Sequence, residues 1–134
     1  MSTVIGVDPD IVMREYAAAW GRGDPEAAFA FYDDDVVMHL PGRGSLAGTH
    51  RGRPAVIDAI KSLLARTDGL PVEVEVVDRL VSSERVGLVL REVATRGSEL
   101  LELRRVNVYR VGDGKIREIE IFEADQYEVD AFFG

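Results

Sequence analysis

The sequence predicts an α+β protein, three N-terminal helices folded over one curved, mainly antiparallel sheet. Three observations lead there. Capping signals and helical periodicity occupy the first half of the chain, two-residue alternation occupies the second, and Asp113-Gly114 joins the last two alternating segments as a hairpin turn. Helices followed by a run of strands argue against an alternating parallel fold. A curved sheet covered on one face by helices encloses a pocket.

Asp8-Pro9 supplies a cap oxygen and a first-turn proline, and Val12, Tyr16, Ala19 and Trp20 recur with helical spacing, so a helix is predicted over 9–20. Gly21 and Gly23 stop it. Asp24-Pro25 repeats the cap for a short second helix that carries Ala28, Phe31 and Tyr32 on one side, and Asp33-Asp34-Asp35 should end it, because carboxylates at a helix C-terminus oppose its dipole. A strand over 36–40 follows, and the glycine-rich stretch 41–52 should be loop. Pro54 opens a third helix with Val56, Ile57, Ile60, Leu63 and Leu64 in one stripe, closed by Gly69 and Pro71. Alternation then predicts strands over 72–80, 85–95, 99–111 and 115–123.

With 134 residues the chain suits one domain, 1–134, that buries roughly two thirds of its unfolded surface. It has no cysteine, which excludes disulfides and thiolate chemistry and suits a reducing cytoplasm. The start MSTVIGVDPD lacks the basic and apolar regions of a secretory leader, and no apolar run approaches the ~18 residues of a membrane span. A net charge of -8, from 16 Lys plus Arg against 24 Asp plus Glu, opposes binding to nucleic acid or anionic lipid.

Leu101, Leu103, Arg105, Asn107 and Tyr109 share one strand face, which places an amide and a guanidinium where apolar groups lead. If Met38 and Leu40 face inward, the imidazole of His39, a candidate proton shuttle, faces outward. His50 sits in the glycine-rich loop, and its spacing from His39 matches no helical metal pair. Asp33 to Asp35 lack the alternate ligands of a calcium loop, and there is no Gly-x-Ser-x-Gly elbow, so neither metal nor cofactor is expected. Glu118 and Glu120 alternate with Ile119 and Ile121, and two solvated glutamates are the simpler reading. An inward Glu120 beside Arg105 and Arg91 would instead suit water activation.

Glu15-Tyr16, Gly23-Asp24, Tyr32 to Asp35, Leu40-Pro41-Gly42, Gly52-Arg53 and Asp113 to Ile116, in this order and spacing, resemble the SnoaL-like and ketosteroid isomerase-like families of the nuclear transport factor 2-like superfamily. The resemblance covers nearly the whole chain. It implies a conical α+β barrel of cystatin-like type, with three helices closing a cavity against the sheet, and a homodimer. It also implies an oxyanion site at Tyr16 and, at or near the late-strand acid of the isomerases, Asn107. The general base of those enzymes falls at Leu40, which cannot abstract a proton. The implied function is a small-molecule enzyme that isomerises, cyclises or eliminates on an apolar cyclic carbonyl compound. Its wall would include Trp20, Met38, Leu40, Ile60 and Leu103, with Arg105 as a polar contact and His39, a glutamate or the substrate as proton acceptor. Two other classes stay open: a binding protein without chemistry, and an epoxide hydrolase or dehydratase using charged groups of the late strands.

Overall fold

The computed structural model describes residues 8–133; the stretch 1–7, read above as lacking a leader, and Gly134 lie outside the described residues. Helix α1, Pro9–Gly21, begins where the Asp8 carboxylate accepts the backbone N–H of Asp10 at 2.8 Å, and it buries Val12, Met13, Tyr16 and Ala19. Helix α2, Pro25–Phe29, is capped by Asp24 in the same way. It is shorter than the sequence suggests. Strand β1, Tyr32–Leu40, already begins at Tyr32, so Asp33, Asp34 and Asp35 lie within a strand rather than at a helix end. The cause is tertiary: Ile116 donates its N–H to Phe31 at 2.8 Å and Tyr32 pairs with Ile116, which fixes an extended backbone. Asp34 and Asp35 remain exposed, so their charges cost little there.

The segment expected to be loop contains a short strand, β2, Gly48–Arg51, antiparallel to β1. Gly52 follows at φ 91°, a conformation that suits glycine, and Arg53 and Pro54 open helix α3, Arg53–Ala65. Four long strands then arrive as alternation predicts: β3 Glu73–Val81, β4 Arg85–Arg96, β5 Glu99–Gly112 and β6 Lys115–Glu123. The aromatic tail forms one more helix, α4, Gln126–Phe133. No described helix is long and apolar enough to cross a membrane.

The six strands form one sheet in the order β2-β1-β6-β5-β4-β3, antiparallel except for the parallel β1/β6 pair, and the architecture is the expected α+β one of helices on a mainly antiparallel sheet. Register sorts the side chains. On the inner face Leu103 lies opposite Glu92, Arg105 opposite Leu90 and Glu123, Asn107 opposite Leu88 and Ile121, and Tyr109 opposite Val86 and Ile119. Their intervening neighbours, including Glu118, Glu120 and Phe122, belong to the outer face. In β3 a register shift between Val76 and Asp78 turns Arg79 inward, where its guanidinium pairs with Asp10 and ties that strand to the start of α1. The core gathers α1, α2 and α3 against this inner face around Met13, Phe29, Val36, Met38, Val56 and Ile116.

Candidate functional site

Between the helices and the inner face lies a cavity of about 850 Å³. Its wall is chiefly hydrocarbon and aromatic, from Trp20 of α1, Met38 and Leu40 of β1, Ile60 and Leu64 of α3, Leu88 and Leu90 of β4, Leu103 of β5 and Ile121 of β6. Every wall residue singled out from the sequence is therefore present. Leu40 brings no titratable group to it. Val129, Asp130 and Phe133 of α4 contribute at one end, where Asp130 accepts the Arg43 N–H at 3.2 Å and a bond from Gln126 at 3.0 Å. A side chain on Gly42, whose φ is 99°, would collide with those two groups, so the loop needs glycine where it meets α4.

Two groups of polar side chains enter the cavity. The first is neutral. Tyr16 and Tyr32 share a hydrogen bond of 2.7 Å between hydroxyls, and the Asn107 NH₂ donates to the Tyr109 hydroxyl at 3.1 Å. The rings of Tyr16 and Tyr109 meet edge to face at 5.7 Å between centroids, so the two pairs lie side by side. Burial pushes all three phenols up from their ordinary pKa, and they remain neutral donors at physiological pH. Asn107 is only 8% exposed, and its carbonyl oxygen, Oδ1, has no hydrogen-bond partner among the described residues. One of its two NH₂ hydrogens goes to Tyr109, so both oxyanion donors implied by resemblance, Tyr16 and Asn107, keep a hydrogen to offer. Tyr32 can donate to the Tyr16 oxygen and leave the Tyr16 proton for a ligand.

The second group is charged. Arg105 grips Glu123 with a fork, Nη2 at 2.8 Å and Nε at 3.0 Å, and reaches Glu92 with Nη1 at 3.4 Å. All three line the cavity, and the Glu123 side chain is 5% exposed. Burial raises the Glu123 carboxyl above the usual range despite Arg105, and the negative charges of Glu92 and Asp130 add to that. Neither glutamate was singled out from the sequence. The signal is there in parity, because Glu123 continues the inward Ile119, Ile121 series and Glu92 continues Leu88, Leu90.

Other candidates lie elsewhere. His39 is not part of the cavity lining: its Nε2 is 2.8 Å from Glu118 and its Nδ1 3.2 Å from Thr49, on the outer side of β1. Strand parity puts it there, since Met38 and Leu40 take the inner positions. Glu120 is also outward, and Arg91 pairs with Glu73 and Glu102 away from the cavity, so the inward glutamate and guanidinium set is Glu123, Glu92 and Arg105 instead. The His50 imidazole is bonded to the Leu46 carbonyl at 2.7 Å.

An uncharacterized protein of Mycobacterium tuberculosis is 31% identical over 127 residues, covering 94% of this chain and 95% of that protein. Among solved structures, a Xanthomonas campestris protein of unknown function with a cystatin-like fold superposes with a TM-score of 0.85 at 28% identity, over 96% of this chain and 99% of the other. Bal32a, from a soil-derived mobile gene cassette, superposes at 0.83 with 26% identity over 93% and 95% of the two chains. The model of the SnoaL-like domain matches residues 13–119, from the buried face of α1 through Asn107 and Tyr109 to Ile119, and the chain belongs to that family within the nuclear transport factor 2-like superfamily.

Proposed function

We propose that this SnoaL-like protein is an enzyme that moves a proton on a small, apolar, cyclic carbonyl compound, and that Glu123 is the group that carries the proton. The observation behind this reading is a carboxyl buried in an apolar cavity and held by Arg105, with its pKa raised by that burial. A raised pKa makes its carboxylate a stronger base. Leu40 leaves the cavity without the base of the ketosteroid isomerases, and Glu123 supplies one from another strand. In the proposed step the Glu123 carboxylate takes a proton from the carbon next to the carbonyl while Tyr16 donates to the oxygen on which charge develops. Return of that proton to another carbon gives isomerisation, attack of the carbanion on a second carbonyl gives cyclisation, and loss of a β-substituent gives elimination.

Exchange of α-hydrogens for deuterium tests the step without knowledge of the natural substrate. Cyclic ketones incubated with the protein in D₂O and followed by NMR should exchange faster than without it, and Glu123→Gln should lose roughly 10² to 10⁴-fold of that acceleration. No acceleration on any ketone tested, or an unaffected Glu123→Gln variant, would overturn the proposal and leave ligand binding without chemistry. A second reading has its own support, since two carboxylates on one guanidinium also suit activation of water for epoxide opening. Incorporation of ¹⁸O from labelled water into a diol would favour it.

A further inference from the structure

We infer that Glu92 selects the ligand of this cavity by accepting a hydrogen bond from it, so that the compound carries a hydroxyl or ammonium group on its ring system. The inference rests on the proposed function and narrows its substrate class to cyclic carbonyl compounds with such a donor. Arg105 treats the two carboxylates unequally. It holds both oxygens of Glu123, at 3.0 and 2.8 Å, but reaches Glu92 only at Oε2 and at 3.4 Å, long for a bond of this kind. Oε1 of Glu92 accepts no hydrogen bond among the described residues.

That oxygen is accessible. Among the described residues, the one side-chain nitrogen or oxygen that is both buried and without a partner belongs to Asn107, so the free oxygen of Glu92 retains contact with open space. Strand register fixes which space. Glu92 stands opposite Leu103 of β5 and Val74 of β3 on the inner face, and all three line the cavity. With its side chain only 13% exposed, a carboxylate is costly to hold without hydrogens on its oxygens, and these hydrocarbon neighbours supply none. Position adds to this. Glu123 comes from β6 and Glu92 from β4, strands that flank β5 and run roughly 9 to 10 Å apart at the usual strand spacing. A ligand whose acidic carbon meets Glu123 therefore presents a different part of its ring system to Glu92. A donor there is favoured, and its methyl ether is rejected, because the ether leaves the carboxylate oxygen unpaired and shut away from water.

Calorimetric titration tests this with tetralones that carry a hydroxyl at each free position of the aromatic ring, with their methyl ethers, and with the corresponding aminomethyl compounds. The wild type should bind at least one hydroxyl or ammonium compound about 10 to 100-fold more tightly than the matching ether. Glu92→Leu should erase that preference. Glu92→Gln keeps an acceptor oxygen without the charge, so it should retain part of a hydroxyl preference and lose an ammonium one, which tells the two donors apart.

Equal affinities throughout the wild-type series would overturn the inference and mean that water satisfies the oxygen. A preference surviving in Glu92→Leu, or no binding of any member, would overturn it too. The wild-type comparison stands even if a variant fails to fold. Donor selectivity without α-hydrogen exchange would sink the proton-transfer proposal alone, whereas exchange without selectivity would sink this inference alone.

Discussion

Glu118 and Glu123 occupy one strand and titrate in opposite senses, because β6 turns one outward and the other inward. The hydrogen bond to His39, aided by Arg110, holds the Glu118 carboxyl below the usual 4.5, so the stability it contributes is present above that pH and is lost as pH falls through the lowered value. Burial holds the Glu123 carboxyl above 4.5, so the folded state keeps a proton that the unfolded chain releases, and stability declines as pH rises from 4.5 through the raised value. Melting temperatures recorded from about pH 3 to about pH 8 should therefore diverge, Glu118→Gln falling below the wild type with rising pH and Glu123→Gln gaining on it. Parallel curves for both variants would contradict these assignments. Tyr16→Phe keeps the ring but leaves the Tyr32 hydroxyl without its partner, and should cost about 1 to 3 kcal/mol in denaturant unfolding. That Leu103, Arg105 and Asn107 share one face is legible from alternation alone, whereas its turning inward is settled by the helices that cover it. Which groups meet Arg105 is not legible, because Glu123 and Glu92 reach it through the cross-strand register of β4, β5 and β6, which no local pattern specifies.

The same division holds for whole elements. α1, α3 and the four long strands announce themselves through caps, glycines and periodicity, each visible within its own segment. The extended course of Asp33 to Asp35 depends on β6, distant in sequence, and β2 exists by pairing with β1, where the glycines around it read as loop. The tail carries Val129, Phe132 and Phe133, which pack on Ala94, Leu101 and Leu103 as a small cluster apart from the main core. Its C-terminal carbonyls are held by arginines: Arg96 donates to Phe132 at 2.8 Å and Arg66 to Phe133 at 3.0 Å, while the Arg96 guanidinium lies 4.3 Å from the Phe132 ring centroid. So few attachments place α4 at the low-stability end of the molecule. Arg96→Met should speed amide hydrogen exchange in 126–133 by roughly tenfold, the effect of about 1.4 kcal/mol of lost local stability, and leave exchange in β4 to β6 unchanged. Uniform acceleration across the sheet would show that α4 is integral to the core.

At the scale of the molecule, the helices cover one sheet face and the other keeps large apolar groups in solvent, with Leu80 57%, Phe122 52% and Leu100 67% exposed. A homodimer formed through that face is the expected outcome of sedimentation at micromolar concentration, and Phe122→Glu should shift it to the 14.8 kDa monomer by placing an unpaired charge in the contact. A monomeric wild type would refute the dimer. The parallel pairing of β1 with β6 sets the order of events by which the molecule comes into being. The strand that begins the sheet finds its neighbour only after nearly the whole chain has been made, and such a distant closure is slow because its entropy is lost before its contacts form. The β3, β4, β5 and β6 meander can assemble from sequential neighbours, with β1 and the helices arriving last. Until β1 docks, Ile119 and Ile121 lie on a strand whose β1-side edge is unpaired. Substitutions that slow closure would reduce soluble yield well before they lower the melting temperature of molecules that have closed.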